Sequence, residues 1–151
     1  MSQSNIAQAR LALGQWGGAR IRIAELDDEL AWARGRLCCI RDPLRAQDLT
    51  GMPRGGGKTD ISSIVVHVDE EEQAFAELER RISAQRAELI RLCCAVESAV
   101  DTLPQCHQQI LRMWYRHGMS HMQISRACHY SVDRVKHIKS EADNMIAQRL
   151  S

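Results

Sequence analysis

Residues from Ser120 to Ile146 combine hydroxyl, imidazole and positively charged side chains with apolar residues at helical spacing. Val135, Ile138 and Ala142 recur at intervals of three and four, which predicts the buried face of a helix that begins after Ser131. The opposite face of that helix carries Val132, Asp133, Arg134, Lys136, His137, Lys139 and Ser140. Side chains of these types form hydrogen bonds and apolar contacts with base edges and phosphates in DNA. The pattern therefore predicts a DNA-binding surface.

A helix-turn-helix is expected here, because a shorter helix precedes the one just described. Ser120 and Ser131 each stand where a side-chain hydroxyl caps the free backbone N–H groups of a helix. Ile124 and Ala127 predict the buried face of the first helix. The residues left for the turn are Cys128, His129 and Tyr130.

A third short helix is predicted immediately upstream, roughly from residue 105 to residue 117. Pro104 marks its boundary, because proline lacks a backbone N–H and disfavours helix in the residue before it. Gly118 is expected to end the helix as a C-cap. The residues predicted to be buried are Ile110, Leu111 and Trp114, with Cys106 as a further candidate. Three short helices would then form one small bundle over residues 103–151.

Two long helices are predicted before this bundle. Apolar residues from Ala12 to Ile40 alternate steps of four and three, and a second such seam runs from Ile61 to Leu103, interrupted at Glu71 and Gln85. We expect helices over about 6–41 and 60–102 that fold into an antiparallel coiled-coil hairpin of residues 1–102; pairing between two copies of the chain is the alternative. Glycine weakens helices, so the N-terminal end of the first is expected to fray or bend at Gly14, Gly17 and Gly18.

Residues 42–59 are predicted to be a mobile loop, because they contain two of the three prolines and four of the nine glycines. The segment GMPRGGGKT is similar in composition to a phosphate-binding loop, but its spacing is wrong. Met52 stands six residues before Lys58, where that loop requires glycine, and no apolar strand precedes it. A nucleotide site is therefore not expected, although Arg54 and Lys58 could contact a DNA backbone or a polymerase.

No catalytic or metal site is expected from the remaining polar residues. His117 and His121 have a spacing suited to a metal, but Gly118 is expected to end the helix between them, and no Cys-x-x-Cys pair accompanies them. The six cysteines lie inside helical patterns, so we expect reduced and mostly buried thiols. No Ser/His/Asp arrangement or pair of carboxylates indicates catalysis, so neither enzymatic activity nor a cofactor is expected.

Charge is distributed unevenly along the 151 residues, although the formal net charge is only +1. Residues 105–151 contain seven Lys or Arg against three Asp or Glu, and five of the six histidines. This segment is the one suited to a polyanionic partner. No run of 18 apolar residues and no apolar signal segment occurs, so we expect a soluble protein of the cytoplasm, without membrane contact.

The C-terminal run LPQCHQQILRMWYRHGMSHMQISRACHYSVDRVKHIKSEADNMI resembles region four of sigma-70-type transcription factors. The matching features are Leu103-Pro104, Gly118-Met119-Ser120, Ile124-Ser125, Ser131, Val135 and Ala142. Ser125 replaces the usual alanine, and Cys128-His129-Tyr130 replaces the usual Leu-Gly-Ile turn. This resemblance implies base contacts from Val132, Asp133, Lys136 and His137, phosphate contacts from Arg134 and Lys139, and backbone contacts from Ser120 and His121. Valine at position 132 replaces an arginine common in sigma factors, so a different DNA sequence is expected.

The whole chain is similar to small phage-encoded regulators of late transcription, among them the ArpU/RinA-like activators. The resemblance rests on a helical hairpin, the connector from Met52-Pro53 to Asp60, and the sigma-like helix-turn-helix over residues 103–151. It implies sequence-specific binding of double-stranded DNA and contact with RNA polymerase in a bacterial host cell. A homodimer through the hairpin is a further expectation. The rival interpretations are a phage Q-type antitermination factor, a small terminase subunit that packages DNA, and a coiled-coil protein that only binds other proteins.

Overall fold

The computed structural model describes residues 3–46 and 61–151, and within these ranges the chain is all-helical, with no strand. Five helices occur there, of which the first two are long. They are α1 (Gln3–Ala46), α2 (Ile61–Asp101), α3 (Gln105–Leu111), which continues into a π-helical turn (Arg112–Arg116), α4 (His121–Cys128) and α5 (Val132–Leu150). The all-helical fold expected from the sequence is confirmed. No helix in these ranges has an apolar stretch long enough to span a lipid bilayer.

The first helix is longer than its seam predicted. It is continuous from Gln3, with Gly14, Gly17 and Gly18 inside it, and it extends to Ala46, through the first five residues of the expected loop. The rest of that loop, including Arg54 and Lys58, lies outside the described residues.

The chain divides into two compact units, which are described separately. One contains residues 1–23 together with 87–151, and the other contains residues 24–86. The ends of both long helices thus group with the three short helices. The division expected from the sequence, into a helical hairpin of residues 1–102 and a helix-turn-helix domain of residues 103–151, stays a prediction.

In the unit of residues 24–86, α1 and α2 are joined by buried aliphatic side chains and by surface ion pairs. The buried residues are Leu26, Leu37, Val68 and Ile82. Ion pairs join Asp27 to Arg86 at 3.2 Å, Glu29 to Arg81 at 3.3 Å and Arg36 to Glu71 at 3.5 Å, and a further pair joins Arg41 to Glu72. The partners of Asp27 and Glu29 lie at positions 86 and 81, whereas those of Arg36 and Arg41 lie further back on α2, at positions 71 and 72. The two segments are therefore antiparallel within this unit. Exposed ion pairs contribute at most about 1 kcal/mol each, so apolar contact is the main attraction.

The apolar seam on α2 is interrupted at Gln85, as the sequence indicated. Gln85 is exposed, and the neighbouring Arg86 is partly buried there and pairs with Asp27. A long arginine side chain can cover apolar surface with its methylene groups and still place its charge in water. The seam therefore shifts by one residue at this point.

The unit of residues 1–23 and 87–151 has two apolar clusters. The larger joins α1, the end of α2 and α5 through Ala9, Leu13, Trp16, Val96, Val100, Leu103, Leu111, Ala142 and Ile146, among others. The smaller joins the three short helices through Ile110, Ile124, Val135 and Ile138. The start of α1 is thus part of the core on which α5 packs.

Gly17 is the one N-terminal glycine whose lack of a side chain is needed for packing. A Cβ atom at this position would lie 2.1 Å from the carbonyl oxygen of Tyr115, in the π-helical turn, and 2.6 Å from the carbonyl carbon. At Gly14 and Gly18 nothing lies within 4 Å of such an atom. The backbone of the π-helical turn therefore lies directly against α1 at Gly17.

Replacing Gly17 with alanine is expected to destabilise the protein by about 2 kcal/mol or more, because the methyl group would overlap a backbone carbonyl held in a helix. Gly14→Ala and Gly18→Ala are matched controls. Each should leave stability unchanged or raise it by up to about 1 kcal/mol, since alanine favours helix and meets open space. Urea unfolding of the three variants measures the difference, and a Gly17→Ala protein as stable as Gly14→Ala would contradict the close packing.

Candidate nucleic-acid interface

The start of α4 is fixed by a capping box. The Ser120 hydroxyl accepts a hydrogen bond from the Gln123 backbone N–H at 3.3 Å, and the Gln123 side-chain oxygen accepts one from the Ser120 N–H at 2.8 Å. Two backbone donors that a helix start leaves unpaired are thereby satisfied. The capping role of Ser120 predicted from the sequence is confirmed, while that of Gln123 was not anticipated.

The turn between α4 and α5 contains a residue in the left-handed conformation. His129 has φ of 58°, a region that costs a non-glycine residue roughly 1–2 kcal/mol. The Ser125 hydroxyl donates to the carbonyl of Tyr130 and braces the turn from α4. Ser131 then caps α5, its hydroxyl accepting from the Arg134 N–H at 3.2 Å, as the sequence predicted. His129 thus adopts the backbone conformation for which glycine is the usual residue.

The orientation of α5 follows from the residues buried beneath it. Val135 and Ile138 pack with Ile110 and Ile124 in the smaller cluster, as their spacing predicted. Ala127, also expected to be buried, is exposed. The tight turn instead brings Cys128 and Tyr130 against this cluster, where both are partly buried.

The opposite face of α5 is open to solvent along its first half. Asp133, Arg134, Lys136, His137 and Ser140 are exposed, and Val132 is partly buried. The Arg134 guanidinium carbon lies 4.7 Å from the centre of the Tyr130 ring, which holds this cation beside the turn. Among the residues described, neither Lys136 nor His137 has an ion-pair partner, so both side chains are available to a ligand. We call these six residues the α5 face.

Lys139 does not belong to the α5 face, contrary to the expectation that it lies with the phosphate-contacting residues. Only 13% of its side chain is exposed, and its ammonium group pairs with Asp143 at 2.9 Å. The same group lies 5.0 Å from the Trp114 ring centre and 5.3 Å from that of Tyr115. Because Asp143 lies one helical turn further along α5 on the inner side, this pair turns Lys139 away from solvent.

Asp143 is a completely buried carboxylate, and the sequence analysis did not single it out. It accepts hydrogen bonds from Arg10 Nε at 3.1 Å, from the Tyr115 hydroxyl at 3.2 Å and from Lys139 Nζ at 2.9 Å. Burial, reinforced by the Asp143 carboxylate, raises the pKa of Tyr115 well above its ordinary value, so the phenol stays protonated and donates. The carboxylate therefore connects α1, the π-helical turn and α5. The one sequence feature that could have indicated its burial was its position between Ala142 and Ile146 on the inner side of the helix.

A second carboxylate, Glu97, holds two arginines away from the α5 face. It accepts from Trp16 Nε1 at 2.7 Å, from Arg112 at 3.1 Å and from Arg116 at 2.9 Å, while Arg116 also lies 4.5 Å from a Trp16 ring centre. Burial acts to raise the pKa of Glu97, but these hydrogen bonds and the arginine charges outweigh it and lower the pKa. Both arginines are thus neutralised within the protein.

His121, expected to contact a DNA backbone, is partly buried against an aromatic ring. Its imidazole and the Trp114 ring have centres 4.3 Å apart with an interplanar angle of 36°. Burial lowers the pKa of His121, and the nearby Lys136 and Lys139 lower it further. His121 is therefore neutral at neutral pH, and any contact with a phosphate would be a hydrogen bond from the ring rather than a charge pair.

The cysteines are less buried than the sequence suggested. All six are free thiols, and Cys38, Cys39 and Cys94 are exposed. Because neighbouring residues point about 100° apart on a helix, Cys94 is exposed where Cys93 is partly buried. Over residues 3–46 and 61–151 no group of three or more His, Cys, Asp or Glu side chains is arranged to hold a metal ion.

Comparison with protein-family models, with curated proteins and with solved structures finds no significant match to this chain. The description of the α5 face consequently rests on its own geometry: two capped helices, a tight turn, and an exposed half of the second helix.

The protein is expected to lose stability on acidification in part through His121. Its pKa is lower in the folded chain, so the unfolded chain binds a proton first as the pH falls below about 6.5. The contribution of this group to the free energy of unfolding is fully present above that pH and is lost as the pH falls towards the folded-state pKa. The free energy of unfolding, measured with urea at pH 7.5 and pH 5.0, should therefore fall further for the natural chain than for His121→Gln. Equal losses would contradict the depressed pKa.

Proposed function

We propose that this protein is a sequence-specific DNA-binding regulator of transcription, which acts at phage or prophage late promoters together with RNA polymerase. The observation that carries the proposal is the α5 face, presented by two capped helices across a tight turn. An exposed helix of this kind is the element that helix-turn-helix proteins insert into the DNA major groove. The resemblance of residues 103–151 to sigma region four supports the same conclusion and suggests the polymerase contact.

The side chains of the α5 face suit a division of roles on DNA. Val132 offers methyl groups to a thymine methyl, whereas Lys136 and His137 can donate to the acceptor atoms of guanine or to phosphate. Arg134, which stacks on Tyr130 beside the turn, is suited to a phosphate. Ser140 can bond to either kind of group. In this assignment Lys136 and His137 carry most of the base recognition.

The charge available for binding is modest. Between residues 120 and 140 the chain has four Lys or Arg against one acidic residue, and one of the four, Lys139, is neutralised by Asp143. Three remaining cations, Arg126, Arg134 and Lys136, would give a salt dependence with a slope of roughly −3 in the logarithm of the association constant against log salt, taking about 0.9 per phosphate. Such weak electrostatics favour a protein held near its site by a second contact.

The paired long helices are proposed to provide that second contact. In this interpretation α1 and α2 form an antiparallel coiled-coil hairpin, and the short helices form a three-helix module that reads DNA. The hairpin would bind RNA polymerase or a second copy of the chain. Both arrangements raise the effective concentration of the module at the promoter.

The test begins with selection of duplexes from a random library by the full chain, followed by fluorescence anisotropy on the selected sequence. Lys136→Ala and His137→Ala should each weaken specific binding by about tenfold or more, and Lys136→Ala should also reduce the salt slope by about 1. Arg80→Ala is the matched control, because Arg80 is exposed on α2 and, among the residues that the structure describes, bonds only to the carbonyl of Ala76 in its own helix. Circular dichroism verifies that all variants fold.

Two results would overturn the proposal. One is full sequence-specific affinity in the Lys136→Ala/His137→Ala double variant, which would locate recognition elsewhere. The other is that the selection enriches no duplex, while the immobilised chain still binds purified RNA polymerase. That result would indicate a protein that only binds polymerase.

A further inference from the structure

A cysteine, a histidine and a glutamate form a hydrogen-bonded chain between α3 and α5. The sulfur of Cys106 lies 3.2 Å from Nδ1 of His107, and Nε2 of the same imidazole lies 3.3 Å from Oε2 of Glu141. Cys106 and His107 are in the first turn of α3, whereas Glu141 projects from α5. The α5 face does not include any of the three.

This order of groups suits activation of the thiol. A carboxylate can only accept from the imidazole, so Nε2 carries a proton and Nδ1 faces the sulfur. If the thiol proton moves to Nδ1, the resulting imidazolium donates to the thiolate on one side and to Glu141 on the other. A nucleophile within hydrogen-bond distance of a base, with that base oriented by a third group, is the usual arrangement of an activated cysteine.

The surroundings strengthen the pair and still admit a small reagent. Only 12% of the His107 side chain is exposed, so solvent screens its contact with Cys106 weakly, whereas 53% of the Glu141 side chain is exposed and Cys106 itself is partly exposed. In the described part of the chain no other cysteine has a hydrogen-bonded histidine. Cys38 and Cys39 are exposed thiols on α1, and burial raises the pKa of the Cys93 thiol.

We propose that the His107–Glu141 pair activates the Cys106 thiol by accepting its proton, and that Cys106 is the chain's modification site for small electrophiles, with hydrogen peroxide as the oxidant. The sulfur attacks one peroxide oxygen, the S–O bond forms as the O–O bond breaks, and hydroxide leaves. Hydroxide takes the proton from the His107 imidazolium and becomes water, which leaves a sulfenic acid and a neutral imidazole. The sulfur loses two electrons and the peroxide gains them. This modification does not depend on DNA binding.

The first experiment uses the natural full chain and limiting iodoacetamide from pH 5 to pH 9, with each cysteine quantified by peptide mass spectrometry. An ordinary thiol reacts faster as pH rises towards about 8.5, because only the thiolate reacts. Cys106 is expected to react at least tenfold faster than Cys38 and Cys39 at pH 6. Equal rates at pH 6 would overturn the proposal.

Variants test the roles of the two partners. His107→Asn and Glu141→Gln should each move the rise in Cys106 labelling to higher pH, whereas Glu88→Gln, which removes an exposed carboxylate on α2, should not. A purely structural role would change the accessibility of Cys106 but not the pH at which its rate rises. In a separate arm, hydrogen peroxide followed by dimedone should label Cys106 before any other cysteine. Labelling of another cysteine first would contradict the assignment of peroxide.

Discussion

The buried carboxylate of Asp143 is the interaction on which the C-terminal part of this protein depends. A fully buried and unpaired carboxylate would cost several kcal/mol, so its three donors have to be present together. They come from α1, from the π-helical turn and from α5, and Arg10 is 133 residues from Asp143 in the sequence. The π-helical turn also packs directly against α1 at Gly17, close in sequence to Arg10 on the same helix. The first turns of α1 are therefore structural parts of the unit that contains α5.

The ion pairs of Asp143 and Glu97 also determine which basic side chains remain exposed to solvent. Asp143 draws Lys139 inward, and Glu97 neutralises Arg112 and Arg116, so three of the basic residues in the C-terminal segment serve packing. Lys136, His137 and Arg134 are left on the exposed half of α5. A small set of exposed polar and positively charged side chains on this helix suits recognition through a few specific contacts better than strong general attraction to DNA.

The sequence predicted those features that depend on local spacing. The buried residues Val135 and Ile138 and the caps Ser120 and Ser131 followed from helical periodicity and from the chemistry of helix ends. Features that depend on residues distant in the sequence were missed, because periodicity does not indicate which element packs against a helix. Lys139 was predicted to be exposed, but it pairs with the buried Asp143. Gly17 was predicted only to weaken its helix, but it lies against the backbone of the π-helical turn. Ala127 was misassigned, because a tight turn covers other side chains in its place, and the partial burial of Arg86 beside the interruption at Gln85 was not anticipated.

The central claim is that the α5 face binds DNA while the hydrogen bonds of Asp143 stay intact. The most direct test is nuclear magnetic resonance of the 17.1 kDa chain during titration with a selected duplex. The account predicts amide shift changes concentrated at Val132, Lys136 and His137, with the Tyr115 and Asp143 signals unchanged. Changes concentrated on α2, or disruption of the Tyr115 and Asp143 signals with no change on the exposed half of α5, would contradict it.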